Sequence, residues 1–128
     1  MTTYSPEMDG EADPGEVVWA WVPYEDDPSQ GKDRPVLVLT RQDSVLGCLY
    51  MTSKDHDRDA DDEAHNGRYW MDVGTGAWDS QGRESEIRLD RLLTIADSEV
   101  RREGAAIDRP IFDAVVAAAR EHGTLGPA

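Results

Sequence analysis

Short apolar runs with alternating side chains dominate the first three quarters of the chain. Residues 16–22 alternate between two apolar sets rich in valine and tryptophan, which is typical of a strand buried on both faces. Residues 35–40 and 46–52 are two further apolar runs joined by a short polar turn, so they predict an antiparallel hairpin. Residues 69–73 predict a fourth short strand, and residues 87–95 predict a fifth strand or two. Many short strands separated by turn residues favour a small β-barrel.

The hydrophobic period changes near the C-terminus. Apolar side chains recur there at helical spacing from Phe112 to Ala119. Asp108 is a suitable N-cap, and Pro110 fits the first turn of a helix, where its missing N–H is not needed. The pattern therefore predicts a C-terminal helix over residues 108–122.

The length of 128 residues fits one domain. We assign the domain to residues 15–123 and predict that residues 1–14 form a mobile acidic tail, because they lack periodicity and end in a Pro-Gly turn. No apolar run approaches the roughly 20 residues that a membrane helix needs, and the N-terminus is unlike a signal peptide. We therefore expect a cytoplasmic protein. The single cysteine, Cys48, excludes an internal disulfide and lies in an apolar run, so we expect it to be buried.

Charge is distributed unevenly along the chain. The formal net charge of −14 argues against a protein that wraps nucleic acid non-specifically, because phosphate contacts need a basic face. Residues 1–31 hold eight acidic side chains and no Lys or Arg, and residues 55–63 hold six acidic side chains and one Arg. Between them, residues 32–54 hold four basic and two acidic side chains. This locally positive segment is where we expect an anion to bind.

The acidic stretch around residue 57 invites a metal-site interpretation. Asp55, Asp57 and Asp59 match the first three ligand positions of a calcium loop. The match then fails, because Ala60 stands where the loop requires glycine and Asn66 where it requires a bidentate glutamate. A solvated acidic loop is therefore favoured, and we expect no metal or other cofactor.

Four short sequences along the chain match one known family in order and spacing. They are GEVVW at 15–19, DRPVLVL at 33–39, YMTS at 50–53 and IRLDRLLTI at 87–95. Over about residues 15–121, the chain resembles the PemK/MazF family of bacterial toxin ribonucleases. The resemblance implies a mostly β fold with a C-terminal helix, namely an SH3-like small β-barrel of the CcdB superfamily that forms a homodimer. It also implies a toxin that cleaves single-stranded RNA without a metal and is paired with a cognate antitoxin.

The resemblance places the family's catalytic positions on Arg34 and Thr52, with Ser53 as an adjacent alternative. A guanidinium matches two phosphate oxygens with its fork of donors and does not lose its charge. A hydroxyl can add a directed hydrogen bond, so both groups would stabilise the phosphorane that forms when a 2′-hydroxyl attacks phosphorus. The alternative interpretations are a surface ion pair for Arg34 and an ordinary strand residue for Thr52.

Three further cations are candidates for lining the RNA path, with ordinary solubilising charges as the alternative: Lys32, Arg41 and Lys54. The general base stays open among four loop side chains: Glu25, Asp26, Asp27 and His56. The four tryptophans are expected mostly in the core or a dimer interface. Two other functions remain as alternatives, namely a catalytically silent barrel that binds a protein and a DNA-binding autoregulator, which the net charge disfavours.

Overall fold

The computed structural model describes residues 14–24, 27–53, 70–76, 78, 81–101 and 106–121. These residues form strands β1 (Val17–Pro23), β2 (Gly31–Gln42), β3 (Val45–Ser53), β4 (Trp70–Gly74), β5 (Ser85–Arg88) and β6 (Leu93–Ala96), a short 3-10 helix (Asp97–Glu99) and helix α1 (Arg109–Glu121). Within these ranges, no helix has the length and apolar character needed to cross a membrane.

The strands form an antiparallel sheet in the order β1-β2-β3-β5-β4, and β6 pairs with β3. A two-residue turn joins β2 to β3, and Asp43 adopts the left-handed conformation there with φ of 57°. The first half of β3 pairs with β2 and β6, whereas its last three residues pair with β5. The sheet therefore divides along β3, and β2 and β3 separate beyond the pair formed by Val36 and Tyr50.

Pro35 lies at this separation. Its partner on β1, Trp19, uses both its backbone N–H and its C=O on Arg101, at 2.9 and 2.8 Å. The backbone groups of position 35 therefore point to the other edge of β2, where β3 would continue the ladder opposite Met51. Proline has no N–H to donate there, so the ladder would lack one hydrogen bond at this position. On the other side of β3, Met51 pairs with Ile87 of β5.

Two apolar cores lie on opposite faces of the sheet. The helix-side core packs beneath α1 and contains Val17, Leu37, Leu39, Leu49, Met51, Val73, Trp78, Ile87, Leu89, Ile107, Phe112, Val115, Val116 and Ala119. The strand-side core contains Val18, Ala20, Val22, Val36, Val38, Leu46, Cys48, Tyr50 and Ile95. Burial of each large apolar side chain contributes about 1.5–3 kcal/mol, so both cores stabilise the curved sheet.

The structure confirms the mostly β fold with one C-terminal helix, and α1 lies within the predicted residues 108–122. Two local predictions are corrected. The strand predicted over residues 35–40 begins earlier, since β2 starts at Gly31 and Pro35 is inside the strand rather than at its start. Strand β1 is not buried on both faces along its whole length: Trp21 is 56% exposed, beside the charged pair of Asp33 and Arg101. The predicted tail, apart from Pro14, lies outside the described residues.

Candidate active site

Arg34 and Thr52 flank the point where β2 and β3 separate. Arg34 lies in the part of β2 that pairs only with β1, and Thr52 pairs with Glu86 of β5. Both side chains project to the same face as the strand-side core, because residues two apart on a strand share a face. Val36 follows Arg34 by two residues, and Tyr50 precedes Thr52 by two. The two predicted catalytic residues are therefore half-buried on the same face of the sheet, at the opening between two strands.

Tyr50 lies at the centre of this site. The guanidinium carbons of Arg34, Arg91 and Arg88 lie 5.4, 5.7 and 6.0 Å from the centre of its ring. A cation at this distance from the ring face gains about 0.5–2 kcal/mol, depending on its exposure. Trp70 of β4 contacts the same ring edge-on, with ring centres 5.6 Å apart. The site thus gathers three cations around one aromatic ring in a chain whose net charge is −14.

Arg88 is the buried member of the three and is neutralised locally. Its Nε donates to Oδ1 of Asp90 at 2.9 Å, and its Nη2 donates to Oδ2 at 3.4 Å. Its Nη1 donates to the hydroxyl of Tyr50 at 3.1 Å. The side chains of Arg88 and Asp90 are only 4% and 15% exposed. This two-pronged ion pair therefore fixes the guanidinium of Arg88 in the position from which it donates to the hydroxyl of Tyr50.

Neither Arg34 nor Arg91 has a carboxylate partner within the described part of the chain. The Nη2 atom of Arg91 donates to the backbone carbonyl of Pro23 at 3.0 Å. Asp33, which the sequence offers as a partner for Arg34, pairs instead with Arg101 at 3.2 Å. Both arginines are half-buried beside Tyr50, and no carboxylate of the described residues pairs with either of them.

Acidic side chains mark the other end of the same face. Glu86 lies opposite Thr52, and Asp72 lies opposite Glu86 on the next strand. Paired residues of an antiparallel ladder project to the same side, about 4.5–5.5 Å apart at Cβ. The face is therefore polarised, with guanidiniums around Tyr50 and carboxylate residues on the two strands that follow Thr52 across the sheet.

The structure brings some of the other predicted residues to this site and places one elsewhere. Lys32 lies two residues before Arg34 and is exposed on the same face. Ser53 is the last residue of β3 and pairs with Ser85. Arg41 is seven residues from Arg34, or about 23 Å along the strand, and forms an ion pair with Asp97 at 3.0 Å. Arg41 is therefore not brought to the site. Lys54 lies outside the described residues.

Only one of the four candidate bases is within the described residues. Asp27 is exposed, and its Oδ1 accepts hydrogen bonds from the hydroxyl and the backbone N–H of Ser29, at 2.6 and 3.3 Å. It is thus engaged in a local turn. The other three lie outside: Glu25, Asp26 and His56.

Sequence reasoning missed three residues of this site, namely Tyr50, Arg88 and Arg91. All three stand inside the short sequences that carry the family resemblance, at 50–53 and 87–95. The spacing of those two sequences does not say which positions meet, because that depends on the register between β3 and β5. The available indication was the alternation within each strand, which shows that Tyr50 and Arg88 each project to one particular face of their strands.

Cys48 is buried in the strand-side core, and burial raises the pKa of its thiol to about 12. The thiolate is the reactive form, so we expect the folded protein to resist alkylation by iodoacetamide at pH 8. In guanidinium chloride the thiol returns to a pKa of about 8.5 and should react readily. Because the folded pKa is the higher one, this group lowers stability progressively as pH rises above about 8.5. Mass spectrometry of timed samples measures the alkylation, and rapid labelling of folded protein would contradict the prediction.

The fold and site together define a small antiparallel β protein with a cationic site at the opening between two strands. The chain matches the family of PemK-like, MazF-like toxins of type II toxin-antitoxin systems over residues 13–122. It belongs to that family. Among solved structures, the crystal structure of MazE-MazF (Form-II) from Deinococcus radiodurans is similar, with a TM-score of 0.49 and 19% sequence identity over 88% of this chain and 92% of that chain. No curated protein matches the chain.

Proposed function

We propose that this toxin is a metal-independent endoribonuclease that cleaves single-stranded RNA at the site formed by Arg34 and Thr52. It acts as a homodimer in the cytoplasm and is neutralised by a cognate antitoxin protein, as membership in a type II toxin family implies. The observation that carries the proposal is that Arg34 and Thr52 share one face at the strand opening, beside a tyrosine with two charge-bearing arginines.

The reaction needs the substrate's own nucleophile, a proton acceptor, a proton donor and a stabilised transition state. The 2′-hydroxyl gives its proton to a base, either water or one of the loop side chains named above, and its oxygen attacks the adjacent phosphorus. The bond from phosphorus to the 5′-oxygen then breaks, and that oxygen takes up a proton. The products are a 2′,3′-cyclic phosphate on one fragment and a 5′-hydroxyl on the other. Negative charge accumulates on the phosphoryl oxygens of the phosphorane between these steps.

Arg34 and Thr52 suit the stabilisation of that charge. The guanidinium of Arg34 presents two parallel donors to two phosphoryl oxygens, and it is held by the rigid strand that Pro35 continues. The hydroxyl of Thr52, or of Ser53 beside it, supplies a further hydrogen bond. Lys32 adds a positive charge on the same face, which attracts the strand to the site. Partial burial of Arg34 and Thr52 strengthens their interactions relative to water.

The reaction itself supplies a sharp test. Purified protein is incubated with a long unstructured transcript in excess EDTA, and the cleavage position is mapped. An oligonucleotide carrying that position is then synthesised in two forms, one all-ribose and one with a single 2′-deoxy substitution at the attacking nucleotide. We expect cleavage of the all-ribose strand with a cyclic phosphate end. The substituted strand and DNA of equal length should remain intact, because they lack the nucleophile.

Induced expression of the chain provides a second test of the same proposal. We expect growth arrest and cellular RNA cleavage with the unmodified protein. Normal growth together with intact RNA in both assays would overturn the proposal and favour a catalytically silent domain that binds a protein.

A further inference from the structure

We infer that Arg91 binds a second backbone phosphate of the RNA strand, adjacent to the phosphate held by Arg34. The inference rests on the proposed function and deepens it, because it assigns a substrate contact to a residue outside the pair that resemblance indicates. It starts from the different surroundings of the three guanidiniums around Tyr50.

Arg88 cannot serve this purpose. Its guanidinium is committed to both oxygens of Asp90 and to the hydroxyl of Tyr50, and its side chain is buried. Arg91 is half-buried, and within the described residues its guanidinium contacts an uncharged carbonyl and an aromatic face. Its positive charge is therefore not cancelled by a carboxylate there.

The geometry leaves donors available on Arg91. A guanidinium has five N–H groups in a planar fork. The contact with the carbonyl of Pro23, at 3.0 Å, involves Nη2 alone. That contact also fixes the head of a long side chain, which lowers the entropy lost when the remaining donors bind an anion.

Arg34 and Arg91 are also close enough to hold one strand together. Their guanidinium carbons lie 5.4 and 5.7 Å from the same ring centre, so they can be no farther apart than about 11 Å. This upper limit allows the two side chains to contact neighbouring phosphates of a single strand. Two such cations would also give a chain with a net charge of −14 a local attraction for phosphate.

The competing interpretation is that Arg91 only ties the end of β1 to the site through the carbonyl of Pro23. Glutamine separates the two roles. The variant Arg91→Gln keeps an amide N–H that can donate to a carbonyl but removes the positive charge. Arg91→Lys keeps the charge and loses the fork.

The experiment measures how binding of an uncleavable oligonucleotide, carrying 2′-deoxy at the mapped position, depends on salt. Each phosphate contact on a single strand contributes about 0.7 to the slope of log K against log salt concentration. We expect Arg91→Gln to reduce that slope by about 0.7 and Arg91→Lys to retain it. The matched control is Arg109→Gln, which removes an arginine from the exposed surface of α1, where the side chain is 73% exposed. Its slope should equal that of the unmodified protein.

A slope unchanged in Arg91→Gln overturns the inference, and a lower melting temperature in that variant with an unchanged slope assigns Arg91 to the structural tie alone. If the unmodified protein neither binds nor cleaves RNA, the proposed function fails first. If the unmodified protein binds and cleaves while Arg91→Gln has a normal slope, only the assignment of Arg91 fails.

Discussion

Replacing Arg34 with alanine is expected to lower the rate of RNA cleavage by about 10²–10³, the usual cost of removing one donor that stabilises transition-state charge. The effect should fall on kcat more than on KM, because the phosphorane carries more negative charge than the bound phosphodiester. Arg34→Lys should recover part of the rate, since lysine restores the charge without the two-pronged geometry. Single-turnover cleavage of the mapped oligonucleotide measures all three proteins.

The control for this prediction is Arg109→Ala, whose arginine is on the exposed side of α1. It should cleave at the unmodified rate. Thermal unfolding should show that Arg34→Ala remains folded, because its contact with Tyr50 contributes only about 0.5–2 kcal/mol. A folded Arg34→Ala protein with an unchanged rate would contradict the proposed role.

Replacing Arg88 with alanine is expected to lower the free energy of unfolding by about 3–5 kcal/mol. The change leaves the carboxylate of Asp90 at a mostly buried position without its forked partner, and it also removes the donor to the hydroxyl of Tyr50. Breaking a buried pair from one side is costly because the remaining charge stays desolvated. Urea denaturation followed by tryptophan fluorescence measures the loss.

A double-mutant cycle separates the lost charge pair from simple truncation. Arg88→Ala combined with Asp90→Ala removes the stranded carboxylate as well, so the double variant should be more stable than the sum of the two single losses predicts. Additive losses would show that the two groups do not interact, contrary to the 2.9 Å contact between them.

The strands were predictable because alternation is a local property of the sequence. The hairpin of β2 and β3 and helix α1 fall where the apolar periods place them. The same reasoning was wrong for Trp21. Alternation predicts the face to which a side chain projects, but not whether other residues cover that face along its whole length. Its neighbourhood is charged because Asp33 and Arg101, 68 residues apart, meet only in the folded chain.

The candidate site was predictable only in part. The resemblance indicates Arg34 and Thr52. Pro35 was a further indication of an opening beside Arg34, because a proline inside a strand cannot donate to the strand on one side. The surroundings of Tyr50 require long-range register: Arg88 and Arg91 come from a segment some 40 residues later in the chain. For the same reason, the net charge of −14 did not indicate that three guanidiniums lie around Tyr50.

The absent amide hydrogen at position 35 has a structural consequence for the whole site. Pairing between β2 and β3 stops one residue short of it, and Arg34 and Thr52 stand where the two strands part. A residue with an N–H at that position would supply the donor that further pairing towards Met51 requires. In this toxin, the opening that Arg34 and Thr52 share therefore coincides with the one position of β2 whose residue type has no backbone donor.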